Sequence, residues 1–186
     1  SAASDDYATG VIKDSLGNIY MSGYTKTLSF PTTIGVYQNN FGGNIDVFLA
    51  KLNPNGTSLI WATYVGGSDW ELSYGLGIND KQELYISGYC LSTDFPVTPG
   101  AHMTTAQGGI IDAFLVKLSP NGDTLKYGTY IGGNDRDYLY DLYVDPSGEA
   151  YVTGMTFSTN FPVTSSNIQS TASGGGDAFV SKYSHD

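Results

Sequence analysis

Gly17-Asn18-Ile19-Tyr20-Met21-Ser22-Gly23 returns in the same chain as Gln82-Glu83-Leu84-Tyr85-Ile86-Ser87-Gly88, and again as Gly148-Glu149-Ala150-Tyr151-Val152-Thr153-Gly154. Similarity at a fixed period marks a repeat architecture before any single element is assigned. The same spacing carries Phe30-Pro31 to Phe95-Pro96 and Phe161-Pro162, in steps of 65 and 66 residues. Asp46-Val47-Phe48 returns as Asp112-Ala113-Phe114 and Asp177-Ala178-Phe179, in steps of 66 and 65. The second copy therefore holds one extra residue between its Phe-Pro and its Asp-Ala-Phe, which predicts a loop there. Thr63-Tyr64-Val65-Gly66-Gly67 matches Thr129-Tyr130-Ile131-Gly132-Gly133, with no third version before Asp186. Three units follow: 1–67, 68–133 and 134–186, the last without its final segment.

Each unit breaks into four short segments of strand character, predicted in the first copy at 9–14, 18–25, 46–52 and 57–65. Along the third segment Val47 and Leu49 alternate with Phe48, Ala50 and Leu52, so both faces are apolar. A sheet apolar on both faces has to lie between neighbours. Asn53-Pro54-Asn55-Gly56 and Ser119-Pro120-Asn121-Gly122 supply Pro for a preset φ and Asn-Gly for positive φ, the chemistry of a hairpin joining segments three and four. Asp14-Ser15-Leu16-Gly17 and Asp145-Pro146-Ser147-Gly148 do the same for segments one and two, whereas Asn79-Asp80-Lys81-Gln82 lacks the Gly and predicts a different turn type. Four antiparallel strands in a unit of this length, repeated, predict an all-β fold: a β-propeller segment of three four-stranded antiparallel blades, the third blade lacking its last strand. A β-sandwich is the alternative, but it needs no self-similarity.

Composition agrees and narrows the partners. In 186 residues, 24 Gly, 15 Tyr and 8 Phe suit strands and tight turns better than amphipathic helices. A formal net charge of -10 repels phosphate backbones and anionic lipid headgroups, so nucleic acid is not an expected partner. No apolar run reaches the length of a membrane span, and no membrane insertion is expected. Cys90 stands alone and can form no intramolecular disulfide. The start, Ser1-Ala2-Ala3-Ser4, has neither a basic nor an apolar signal region, which leaves a removed signal, an excised piece and a cytosolic protein all open.

The ordered set of Gly-Asn-Ile-Tyr-Met-Ser-Gly-Tyr-Thr, Ser-Phe-Pro-Thr-Thr, Asp-Val-Phe-Leu-Ala-Lys-Leu-Asn-Pro-Asn-Gly and Thr-Tyr-Val-Gly-Gly resembles the bacterial SBBP repeat, a β-propeller repeat. The resemblance covers nearly the whole chain. It departs at the missing turn Gly of the second copy and at Cys90, which stands where the other copies have Thr25 and Thr156. It implies an extracellular or cell-surface setting and no defined catalytic activity.

Candidate chemistry concentrates where one unit enters the next. Gly66-Gly67-Ser68-Asp69-Trp70-Glu71 matches Gly132-Gly133-Asn134-Asp135-Arg136-Asp137, with Ser4-Asp5-Asp6 in the first copy. Carboxylates two apart in a Gly-containing loop can converge on a hard cation, so calcium is the one cofactor considered, at Asp69 and Glu71 or at Asp135 and Asp137. The competing reading has these side chains capping backbone N–H groups. Trp70, with Asp69 and Glu71 beside it and Arg136 at the matching position, forms a candidate ligand site in which a ring stacks on a sugar and carboxylates accept hydroxyl hydrogen bonds. Asp46, Asp112 and Asp177 begin the third strand of each copy, and Lys51, Lys117 and Lys182 follow five residues on, an odd offset that rules out pairing within one strand; pairing between blades is one reading, and turn capping by Asp with a snorkelled Lys stem is the structural one. His102 and His185 have no nucleophile and carboxylate beside them, so no catalytic residue is assigned.

The expected function is a non-catalytic binding or structural scaffold that recognises protein or glycan. The alternative is a propeller-based carbohydrate-active enzyme, a glycosidase or lyase, using the blade-entry carboxylates. Three blades are too few for a ring, so the expected partners also include further blades of a parent chain or a second copy closing the ring as a homo-oligomer.

Overall fold

The computed structural model describes residues 5–165 and 168–184, so Ser4 and His185 of the readings above lie outside it. Its strands are β1 (Asp6–Lys13), β2 (Ile19–Thr25), β3 (Asp46–Leu52), β4 (Leu59–Val65), β5 (Glu71–Ile78), β6 (Leu84–Cys90), β7 (Asp112–Leu118), β8 (Leu125–Ile131), β9 (Asp137–Val144), β10 (Ala150–Thr156) and β11 (Asp177–Tyr183). They form three antiparallel sheets, β1-β2-β3-β4, β5-β6-β7-β8 and β9-β10-β11, each within one sequence unit. Among the described residues there is no helix. The three sheets are propeller blades that do not close into a ring.

The turns follow the sequence, with one correction. Gly17 and Gly56 sit at φ 86° and 68°, and their N–H groups close turns on the Asp14 and Asn53 carbonyls. The second copy makes the same turn as the others, not a different one. Gln82 takes the left-handed conformation itself, at φ 63°, and its N–H donates to the Asn79 carbonyl at 2.9 Å. Asn79 Oδ1 accepts from the Glu83 N–H at 2.9 Å, much as Asp14 Oδ1 accepts from Asn18 at 2.8 Å, so the Asx side chain holds the turn without Gly.

The first strand of each blade begins earlier than the sequence suggests, because it contains a bulge. Thr9, Tyr74 and Tyr140 have no partner in the ladder, while the residues on either side pair with β2, β6 and β10. Opposite the bulge stand Gly23, Gly88 and Gly154. A Cβ there would lie within 2 Å of the Tyr7, Leu72 and Tyr138 carbonyl oxygens, so only Gly lets the bulged strand come this close.

The blades stack through both faces of their strands. Phe114, Val116 and Leu118 of β7 join Val47, Leu49 and Trp61 in one core between blades one and two. Ala113 and Leu115, the alternate residues, join Leu139, Leu142 and Val152 in a second core between blades two and three. Contact between sheets falls on the first strand of the later blade: β5 lies on β1, β2 and β3, and β9 on β5, β6 and β7. The sheets therefore converge at their first strands, the inner rim, and splay toward their fourth. At the two ends of the stack no described residue covers the equivalent positions. Val11 on the leading face is 72% exposed and Val180 on the trailing face 74%.

Candidate functional site

Where two blades meet, two acids face each other out of water. Asp46 starts β3, Glu71 starts β5, and both are fully buried. A Cβ placed at Gly66 would stand 2.8 Å from an Asp46 carboxylate oxygen and 2.6 Å from a Glu71 one, so the two carboxylates flank that glycine. The next seam repeats the arrangement with Asp112, Asp137 and Gly132, at 2.5 and 2.7 Å. Backbone donors occupy part of each set. Asp46 accepts from the Gly42 and Gly43 N–H groups and from Gln38 Nε2, Glu71 from the Gly67 N–H, and Asp137 from the Gly133 N–H and the Ser158 hydroxyl. Glu71 Oε1, Asp112 Oδ1 and Asp137 Oδ1 have no hydrogen-bond partner. Burial, with Asp46 nearby as a smaller influence, pushes the Glu71 carboxyl up to about 7. Burial likewise raises Asp112 to about 6, and Asp46 and Asp137 rise for the same reason.

This geometry separates residues that the sequence places side by side. Asp69 is half-exposed and takes a hydrogen bond from Asn44 Nδ2, while Glu71, two residues on, is turned into the seam. Asp135 is exposed beside Arg136, and Asp137 is buried. Neither pair converges on a common point in solvent, because the second acid is the first residue of a strand and the first lies in the preceding turn. Glu71 and Asp137 do what the capping reading expected, accepting the N–H of the Gly four residues back. Calcium takes six to eight oxygens. Each seam has two carboxylates with at least one oxygen of each engaged by a donor, Asp112 by the Gln107 N–H, and among the described residues no group of three or more His, Cys, Asp or Glu is placed to hold a metal. The third-strand Asp residues are likewise structural, since Asp177 accepts from the Ser173 N–H and hydroxyl. Lys51 and Lys182 pair within their own blade, Lys51 with Asp14 at 3.8 Å and Lys182 with Glu149, and Lys117 lies over the Tyr85 ring of its own blade. Register explains this, because Lys51 lies across from Tyr20, next to the turn that carries Asp14. His102 is exposed against Tyr183.

Trp70 and Arg136 do reach the surface, one at each seam. Trp70 is 46% exposed, and its backbone is fixed by a bridge to Ile45 and by the Leu91 N–H. The Arg136 guanidinium lies 4.6 Å over the Phe157 ring. That ring ends a larger feature which sequence reasoning missed. Tyr7 stacks on Tyr24 at 5.0 Å, Tyr74 on Tyr89 at 5.7 Å, and Tyr89 meets Tyr138 edge-on at 5.0 Å. Tyr140 contacts both Tyr74 and Tyr138, and Tyr138 contacts Phe157. The Tyr24 hydroxyl is pushed above its ordinary value by burial and then by Tyr74 of the next blade and Tyr7. The result is a ridge of aromatic rings along the inner rim, carried by the first two strands of blades one and two, by β9, and by Phe157 just after β10. Tyr74 and Tyr140 are the bulged residues of β5 and β9, and a bulge re-aims its side chain out of the ladder. The glycines opposite the bulges were the available signal.

Residues 126–162 match the model of a family described as a beta-propeller repeat, SBBP. The matched stretch runs from β8 across the second seam and through β9 and β10 to Phe161-Pro162. No curated protein matches the sequence. The matched stretch lies in two of the three stacked sheets, which have the form of propeller blades.

Proposed function

We propose that this propeller repeat module is a non-catalytic recognition element of an extracellular or cell-surface protein, and that the tyrosine ridge of its inner rim is the recognition surface. The ridge is the observation that carries the reading. Seven rings form it, the Tyr7–Tyr24 pair of blade one and the cluster of Tyr74, Tyr89, Tyr138, Tyr140 and Phe157 across blades two and three, with Tyr7 and Tyr140 nearly half exposed. Tyrosine gives a large, rigid contact area with a polar tip and loses little side-chain entropy when it binds. Ring faces suit the C–H faces of a pyranose and phenol hydroxyls suit its polar edge. The net charge of -10 disfavours polyanionic chains. A neutral glycan is therefore the first ligand class, and a protein surface the second. The carbohydrate-active alternative has less support, since of its blade-entry acids Glu71 and Asp137 are buried inside the seams, apart from the more exposed Asp69 and Asp135.

A glycan array with the intact chain tests the reading. Saturable binding of neutral oligosaccharides without turnover is the expected outcome, and replacing Tyr74 and Tyr140 by Ala should weaken it about tenfold or more. Cleavage of a bound glycan would establish the enzyme reading instead. Binding that survives both substitutions would remove the ridge from the site.

A further inference from the structure

Blades one and two each close a small aromatic nest with their fourth strand. In blade two Phe95 lies 4.5 Å from Phe114, and β8 adds Tyr130 against Phe95 at 5.9 Å. The Tyr130 hydroxyl donates to the Ser92 carbonyl and accepts from the Phe95 N–H, both at 2.9 Å. Blade one repeats this with Phe30, Phe48 and Tyr64, whose hydroxyl donates to the Thr27 carbonyl at 2.9 Å. Both tyrosines are fully buried. The neighbouring Thr63 and Thr129 hydroxyls accept from the Gln38 and Met103 N–H groups at 2.9 Å, tying the fourth strand to the long loop.

Blade three has the nest without its third member. Phe161 lies 4.4 Å from Phe179, the same pairing, and beside it is an open hollow lined by Thr156, Ser158, Phe161, Val163, Gln169 and Phe179. Ser158 and Phe161 occupy the places of Ser92 and Phe95, which bind the tyrosine hydroxyl in blade two. Gln169 occupies the place of Gln38 and Met103. Beyond the hollow, the outer edge of β11 pairs with no strand among the described residues.

We infer that this edge and hollow form a docking groove for one extended strand of the repeat's own kind, reading Thr-Tyr-(Val or Ile)-Gly-Gly and supplied by polypeptide outside the described residues. The register is set by the other blades. Phe48 pairs with Tyr64 and Phe114 with Tyr130, so the incoming Tyr stands opposite Phe179, the Thr opposite Val180, and the Val or Ile opposite Ala178. Main-chain hydrogen bonds along the edge give affinity, and the tyrosine slot gives specificity. A second copy of the chain is a poor donor, because its own β4 and β8 are already paired on β3 and β7.

The test uses the intact chain and a fluorescein-labelled peptide copying Thr124 to Gly133. Saturable one-to-one binding by anisotropy is expected, with hydrogen-exchange protection gained by the amides of β11. The peptide with Ala in place of its Tyr130 equivalent should bind at least about tenfold more weakly, and a scrambled peptide should not bind. Because these changes lie in the ligand, folding of the protein is not at issue. Absence of saturable binding, equal binding of the Ala or scrambled peptide, or protection gained elsewhere than β11 would each overturn the proposal.

Discussion

β7 and β11 share Asp, Ala, Phe and Lys at matching positions, in Asp-Ala-Phe-Leu-Val-Lys-Leu at 112–118 and Asp-Ala-Phe-Val-Ser-Lys-Tyr at 177–183, but lie in very different surroundings. β7 has β6 and β8 on its two edges and a blade against each face, and six of its seven residues are buried. Among the described residues β11 has a partner strand on one edge only, and none of its own residues is fully buried. Leu115 is 1% exposed and its counterpart Val180 74%. Even the shared aspartate differs. Burial raises Asp112, whereas the Ser173 hydroxyl and N–H hold Asp177 below the usual carboxylate range. A strand of this repeat prescribes its pairing, but its burial comes from the next strand and the next blade.

The sharpest way to break that comparison is to truncate the same position twice. Leu115→Ala removes a side chain locked in the second core and should lower the unfolding free energy by about 3 kcal/mol. Val180→Ala, on the open face, should change it by about 0.5 kcal/mol or less. Equal losses in urea titrations would show that the trailing face is covered in solution.

The two aspartates separate by pH. A carboxyl whose folded value is raised binds its proton more tightly when folded, so its favourable contribution exists at low pH and fades as pH rises through the folded value. For Asp112 that window runs from about 4 to about 6, and for Glu71 from about 4.5 to about 7. Asp112→Asn and Glu71→Gln should each raise stability at pH 7.5, on the order of 2 kcal/mol, and flatten the fall in Tm between pH 5 and 7.5. Asp177→Asn has the opposite sign: its depressed value gives stability present above about pH 4 and lost on acidification. A Tm rising steadily from pH 5 to 7.5 in the unsubstituted protein would contradict the buried seam pairs.

The turns allow a third contrast, between blades two and three. Gln82 and Gly148 hold the same left-handed position, at φ 63° and 103°. Gln82→Gly should stabilise by about 1 kcal/mol, and Gly148→Gln should destabilise by a similar amount, read by thermal melts. The smallest effect expected is that of calcium. With two already hydrogen-bonded carboxylates per seam, millimolar calcium should leave Tm within about a degree of its starting value, since only a ligand held by the native state raises it.

Much of this was legible beforehand. The repeat, the four segments per unit, the Asn-Gly hairpins and the need to sandwich Val47, Leu49, Phe48 and Ala50 followed from spacing and alternation. The site was not legible, for two physical reasons. Alternation assigns faces only once a strand's first residue is known, and Glu71 reads as a loop acid until β5 is seen to begin there. The bulge at Tyr74 then shifts the parity of that strand by one, so no count from either end predicts where its ring points. The Gln82 turn misled for a third reason, because the Asn79 side chain supplies the closure that Gly supplies elsewhere.

The bulge has an evolutionary consequence. Thr9, Tyr74 and Tyr140 contribute no rung to the ladder and pack in no shared core, so the fold asks little of the residue placed there. Gly23, Gly88 and Gly154, which make room for the extra residue, cannot change without pushing strands apart. Each blade thus holds one constrained position facing one free one. A lineage of such repeats can rewrite its inner rim residue by residue, blade by blade, and keep its scaffold intact.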